Sequence, residues 1–228
     1  LSTGDELVDP GDPIGPGQIR DSNRFTLLAA LMQTGAEIVW AGRAPDLAED
    51  LRAHLVRLLE TSDVVITSGG VSMGELDLIK PLLAELSTVH FRRIFMKPGK
   101  PLNFATTDRT IVFGLPGNPV SALVSFETFI RPALRAMAGC AEIDRPRVPV
   151  RLAAGAASSD RIEMQRAIVR VDQDGRLLAS PTGVQSSSRL ASFVGANALL
   201  VIPPRDRAFE EGEVVEAMLL APPLGPAS

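Results

Sequence analysis

The stretch Thr110-Ile111-Val112-Phe113-Gly114-Leu115-Pro116-Gly117-Asn118-Pro119-Val120-Ser121 decides the fold. It opens as a β-branched and aromatic run and breaks at Pro-Gly-Asn-Pro. It restarts with proline at an N-terminal helical position, where the missing N–H costs nothing. This predicts a buried strand feeding a helix that reaches about Met137. The same grammar recurs upstream. Asp63–Ser68 is a β-branched run ending in Gly69-Gly70, and Leu76–Leu86 carries a helical pattern. Leu47, Leu51, Leu55, Leu58 and Leu59 recur at helical spacing, and Asp46 with Glu49 three residues on forms a capping-box pattern. Asp21-Ser22-Asn23 offers caps for a helix with Phe25, Leu28, Leu31 and Met32 on one face, closed by Gly35. Glu37–Ala41 and Val89–Met96 are predicted as strands. Strands alternating with helices imply a parallel sheet covered on both faces.

After Gly139 the texture changes. Pro146 and Pro149 mark a linker. Short alternating runs follow at Val148–Leu152, Met164–Val171, Leu199–Ile202 and Val214–Leu219, with turn signals at Asp174-Gly175 and Glu211-Gly212. The expected architecture is an α/β domain over 1–142, then a small all-β, barrel-like domain over 143–228. The prolines at 222, 223 and 226 read as a loose tail.

The 228 residues are 45% hydrophobic and 22% charged, which excludes a disordered or collagen-like chain. Net charge is −4, so no footprint for nucleic acid or a membrane surface is expected. No run is long and apolar enough to span a bilayer, and residues 1–20 lack the pattern of a signal peptide. Leu1-Ser2-Thr3-Gly4-Asp5 reads like the tail of a strand entering a loop, without an initiator Met, which suggests a fragment or a processed chain. The single Cys140 excludes an internal disulfide and fits a reducing, cytoplasmic compartment.

In an open parallel sheet, ligands bind at the carboxyl ends of the strands, and three unusual loops fall there. In Thr67–Asp77, glycines expose backbone N–H groups and Ser and Thr add hydroxyls, while Asp77 reads as a helix-start carboxylate or a cation ligand. Arg92-Arg93-Ile94-Phe95-Met96-Lys97-Pro98-Gly99-Lys100-Pro101 places four cations within nine residues on a stiff Pro-Gly-Pro frame, suited to a polyoxyanion. The alternative is a solvated surface run. In Gly114–Ser121, Asn118 can cap the helix begun by Pro119, and Ser121 can donate to an anion at the helix start. Asp5, Glu6 and Asp46 put carboxylates at the same sheet edge. His54 and His90 lack zinc-site spacing, and Cys140 has no nearby His. Trp40 reads as packing.

Taken as an ordered set, several motifs resemble the molybdopterin molybdenumtransferases, that is, bacterial MoeA proteins and the E domain of gephyrin and its plant counterpart. The motifs are Ser2–Leu7, Gly17–Arg24, Thr67–Asp77, Met96–Pro101, Gly114–Ser121, Arg161–Arg166 and Thr182–Leu190. The resemblance implies a molybdopterin-binding α/β domain followed by a β-barrel domain, the C-terminal half of a longer enzyme that works as a homodimer. It implies insertion of molybdenum from molybdate into adenylylated molybdopterin, with release of AMP. Lys97, Lys100 and Ser121, with Arg161 and Ser187 or Ser188 from the second domain, would hold molybdate by charge-assisted contacts. Thr3, Gly4, Ser68, Gly69, Gly70, Ser72, Pro116, Gly117, Asn118 and Pro119 would cradle the pterin nucleotide. Glu6, Asp46 and Asp77 match acidic family positions, and Asp46 and Asp77 would hold Mg²⁺ near the phosphates. Two departures stand out: Glu75 where many bacterial members carry Asp, and Arg20 where Tyr is frequent.

Two other readings compete. A molybdopterin adenylyltransferase shares the Thr-Ser-Gly-Gly style of loop, but such a domain should end near residue 140. A gephyrin-like scaffold for receptor peptides would need an exposed apolar groove, for which Phe193, Val194 and Leu199 are candidate linings.

Overall fold

The computed structural model describes residues 1–70 and 78–225. In chain order the elements are β1 (Ser2–Thr3), β2 (Leu7–Val8), β3 (Ile19–Arg20), α1 (Ser22–Thr34), β4 (Arg43–Ala44), α2 (Ala48–Thr61), β5 (Val64–Ser68), α3 (Ile79–Leu86), β6 (Thr88–Arg93) and β7 (Met96–Lys97). There follow β8 (Pro101–Thr106), β9 (Ile111–Leu115), α4 (Pro119–Ser125), α5 (Arg131–Met137), β10 (Arg147–Leu152), β11 (Ile162–Val171), β12 (Leu177–Pro181), β13 (Ala198–Ile202) and β14 (Val214–Leu219). The chain forms two compact units. One is Leu1–Ile94 with Gly99–Ile143; the other is Phe95–Pro98 with Asp144–Ser228.

The first unit is built on a sheet of order β4-β1-β5-β9-β8-β6. Its β4, β1, β5 and β9 run parallel, as strand–helix alternation predicts. The β8 and β6 strands add an antiparallel edge. Pro101–Thr106 carries no strand in the sequence reading; it pairs because a turn closed by Thr107 N–H to the Thr110 carbonyl at 2.9 Å folds it back on β9. Leu51, Leu55, Leu83, Val65 and Val112 fill one face, and Leu27, Leu102, Phe113, Phe126 and Ile130 fill the other. The pairing runs from Val64–Ile111 to Ser68–Leu115, so both strands end level.

Several local expectations are corrected. In α1 the buried stripe is Asn23, Leu27 and Ala30, while Phe25 and Met32 stand 47% and 70% exposed. Its caps are as expected: the Asp21 carboxylate accepts from Arg24 N–H, and Gly35 ends the helix in the left-handed region. Glu37–Ala41 forms no strand, because the adjacent ladder pairs only Ser2–Arg43 and Thr3–Ala44. Asp46 caps nothing: α2 has Leu47 at its N-cap without a side-chain bond, and Asp46 N–H donates to Asp5 Oδ1 at 3.2 Å. The expected strand Val89–Met96 breaks at Ile94, and Met96–Lys97 belongs to the other unit's sheet. The long helix from Pro119 contains a π-turn over Phe126–Ile130. Pro132 supplies the reason, since its ring cannot continue regular i−4 bonding. Trp40 packs against the core beside His54, with ring centroids 5.7 Å apart.

In the second unit β12, β10, β14, β13 and β11 close into a five-stranded barrel, since β11 also pairs β12. The long β11 bonds β13 through Glu163–Ala167 and β12 through Ala167–Val171. Its first residues, Ile162–Glu163, pair in parallel with β7. Val150, Val169, Ala198, Leu200 and Ile202 are in the barrel core.

Candidate functional site

The strand ends bring Thr3, Ser68-Gly69 and Leu115-Pro116-Gly117 together. Ser68 N–H donates to Leu1 O at 2.9 Å, and Gly69 N–H to Leu115 O at 3.2 Å. Gly69 has φ +94°, and a Cβ there would lie 2.4 Å from the Thr3 carbonyl oxygen, so backbone meets backbone with no room for a side chain. A Cβ on Gly117 would stand 3.9 Å from Gly69 Cα, which puts the first and third loops side by side. Asn23, from α1, ties them: its Nδ2 donates to Ser68 Oγ at 2.7 Å and to Gly117 O at 2.8 Å. The Thr3 hydroxyl and Asn23 Oδ1 are buried there and have no hydrogen-bond partner among the described residues. Such groups are costly to leave unpaired and suit a polar ligand.

Around this floor, Asn118 occupies the N-cap of α4 but makes no side-chain cap bond, contrary to expectation; it is exposed. Pro119 begins the helix, and Ser121 is buried in its first turn. Glu6 folds over Gly4, where a Cβ would meet its carboxylate at 2.6 Å. Burial first, then the charges of Asp5 and Glu6, hold the Asp46 carboxyl above its ordinary value. Crowded carboxylates of this kind fit a hard cation, although no group of three metal-binding side chains converges among the described residues. Ser72 and Asp77 lie outside the described residues. Lys100 is exposed, with its carbonyl accepting from Ile94 N–H at 3.0 Å. A cavity of about 580 Å³ lies in the same unit, lined by Leu27, Leu31, Ile38, Trp40, Val64 and Met137. Of the candidate residues, Ser68 lines it.

In the second unit Lys97 pairs through Nζ with Glu163 Oε1 at 2.9 Å. Arg161 is partly buried and pairs with Asp160 at 3.1 Å. Ser187 is half-buried, and Ser188 Oγ lies 3.0 Å from Ser186 Oγ. Sequence reasoning passed over Arg166. Its side chain is wholly buried; Nε donates to Ser192 Oγ at 3.0 Å and Nη2 to Ser186 O at 3.2 Å, while Nη1 has no partner. Burial pushes its pKa down to about 10. Among the described residues no carboxylate pairs with it. A buried guanidinium with an N–H edge unpaired among the described residues carries an unmet demand for an acceptor. The missed signal is position: Arg161 precedes β11, whereas Arg166 sits inside it where Glu163–Ala167 are all buried.

The class of protein is set by two units in order along the chain: a parallel-sheet unit with a glycine-lined strand-end cradle, then a closed barrel. Residues 1–136 match the family described as "Probable molybdopterin binding domain", and residues 149–220 match "MoeA C-terminal region (domain IV)". The chain belongs to the molybdopterin molybdenumtransferase family of MoeA and gephyrin. It is 41% identical to gephyrin of Dictyostelium discoideum, covering 97% of this chain and 36% of that protein. It is 35% identical to the molybdopterin molybdenumtransferase of Haemophilus influenzae, covering 94% of this chain and 54% of that one. The crystal structure of a molybdopterin biosynthesis MoeA protein from Pyrococcus horikosii superposes with TM-score 0.80 at 33% identity, covering 97% of this chain and 53% of that chain. The chain thus spans between about a third and about a half of these relatives. Neither competing reading is favoured. The match over 149–220 lies beyond a single adenylyltransferase-like domain, and Leu199 is wholly buried in the barrel rather than in an exposed groove.

Proposed function

We propose that this chain acts in molybdenum cofactor biosynthesis as a molybdopterin molybdenumtransferase, inserting molybdenum from molybdate into adenylylated molybdopterin and releasing AMP. The observation that carries the reading is the strand-end cradle, where Gly69 presses on Thr3 and Asn23 spans Ser68 and Gly117. Its backbone N–H groups, with the start of α4 and Ser121, suit the phosphates of the pterin nucleotide. Molybdate is a dianion and calls for fixed cations and hydroxyls. In the second unit we assign Lys97, Arg166 and Ser187 as such donors, with Arg166 in the role that sequence reading gave to Arg161; in the first unit the cation we assign is Lys100. Asp46 supplies a carboxylate whose crowding by Asp5 and Glu6 a cation would relieve, so we assign it to Mg²⁺, which would neutralise phosphate charge. The dithiolene of the substrate, not Cys140, would hold the molybdenum. The working form is taken as a cytoplasmic homodimer.

The test is a titration of this chain with adenylylated molybdopterin and then molybdate, with AMP read by chromatography. Stoichiometric AMP appearing only after molybdate is expected. Bound pterin without any molybdate-dependent AMP, with Mg²⁺ present, counts against the proposal.

A further inference from the structure

The tetrapeptide Phe95–Pro98 departs from the first unit to join the second, and its strand β7 lays Lys97 directly beside Glu163 in a parallel register. The two ends of the resulting ion pair differ sharply in environment. The Glu163 side chain is 4% exposed and that of Lys97 is 47% exposed. Both carboxylate oxygens are engaged, Oε1 by Lys97 at 2.9 Å and Oε2 by Gln165 Nε2 at 3.1 Å. Gln165 is itself buried and anchored to the Ala157 carbonyl at 2.6 Å. Burial alone would raise the Glu163 carboxyl, yet side-chain hydrogen bonding with Ser159 first, then with Lys97 and Gln165, and the Lys97 charge hold it below the ordinary carboxylate value. It is therefore ionised at neutral pH.

An ammonium carries three N–H donors, and one is committed to Glu163. The remaining donors sit on a half-exposed side chain whose tip is fixed from below. A free lysine gives up rotamer freedom when it grips a ligand, and a tethered one has already given up most of it. We infer that Glu163 is a positioning residue for oxyanion capture: it holds the Lys97 ammonium in place, with Gln165 fixing the carboxylate in turn. This rests on the reading of Lys97 as a molybdate ligand, and it adds to that reading the device that aims the cation. The device has a cost, since Glu163 also repels a dianion. Orientation must outweigh that repulsion, and this makes the inference refutable in sign.

The experiment is calorimetric titration of molybdate into the 228-residue chain, alongside the ¹⁵N-resolved ammonium signal of Lys97. Glu163→Gln keeps the shape and removes the charge. It should weaken molybdate binding about tenfold and broaden or remove the Lys97 signal through faster proton exchange. In a Lys97→Ala background the same substitution should add no further loss. Tighter or unchanged binding in folded Glu163→Gln, while Lys97→Ala weakens it, overturns the inference. An equal loss with or without Lys97 also overturns it. If Glu163→Gln does not fold, Gln165→Met frees the second carboxylate oxygen and should weaken binding a few-fold; no change there is the refuting result. If Lys97→Ala leaves molybdate affinity untouched, the reading of Lys97 falls, while the ammonium signal still decides the pairing.

Discussion

Replacing Arg166 with Met separates what the barrel needs from what the ligand needs. The guanidinium is wholly buried, and burial lowers its pKa to about 10, well below the ordinary arginine value. At about 1.4 kcal/mol per pKa unit this corresponds to roughly 3 kcal/mol spent keeping the charge inside. Against it stand the bonds from Nε to Ser192 Oγ and from Nη2 to Ser186 O. Charge-assisted bonds of this kind contribute about 1.5–3 kcal/mol each. Met keeps the apolar stem in place. The opposing effects largely offset one another, and Arg166→Met should cost the barrel no more than about 3 kcal/mol. Hydrogen exchange of the β11 and β13 amides reports the barrel separately from the first unit. Molybdate affinity, measured on the same sample, should fall more than tenfold, because the unpartnered Nη1 edge is gone. A barrel destabilised by more than about 4 kcal/mol would make Arg166 a structural clamp, and a stable barrel with unchanged molybdate affinity would remove it from the site.

Three further outcomes are expected. Gly69→Ala forces a Cβ to within 2.4 Å of Thr3 O at φ +94°, so the first unit should lose several kcal/mol, read as a shift in urea midpoint through Trp40 fluorescence; a loss under about 1 kcal/mol would mean the strand ends are not packed this tightly. Lys100→Ala should weaken molybdate binding by at least tenfold with no change in unfolding midpoint, and equal affinities would exclude its ammonium from the anion site. Glu213 is held at about 2 by its hydrogen bond from Arg205, then by the Glu210 backbone and the charge of Arg205. Its folded value lies below the ordinary 4.5, so its stabilisation is complete above about pH 4.5 and is lost as pH falls toward 2. Glu213→Gln should flatten the acid limb of barrel stability over that window, and an unaltered limb would assign the titration to other carboxylates.

The strand-end loops of the candidate cradle were legible because their backbone demands are local. Gly69-Gly70 after a β-branched run, and Pro-Gly-Asn-Pro before a helix, announce strand-end loops by their own torsional needs. The capping of α1 by Asp21 and Gly35 was equally local. Where the reading slipped, a partner distant in sequence made the choice. Asp46 has the spacing of a cap, yet Asp5 lies within reach and takes its N–H. The α1 stripe turned from Phe25 and Met32 to Leu27 and Ala30, since neighbouring elements choose the face a mixed helix buries.

Composition, turn residues and hydrophobic period were enough to determine an α/β half, an all-β half and glycine loops at strand ends, because each depends on torsions and neighbours a few residues away. Three matters were left to the tertiary structure. Phe95–Pro98 crosses into the barrel unit, the buried cation is Arg166 rather than Arg161, and Pro101–Thr106 turns the sheet's edge antiparallel. Each depends on which backbone edge or polar partner is waiting far along the chain, and pairing energy of that kind leaves no mark in the local sequence.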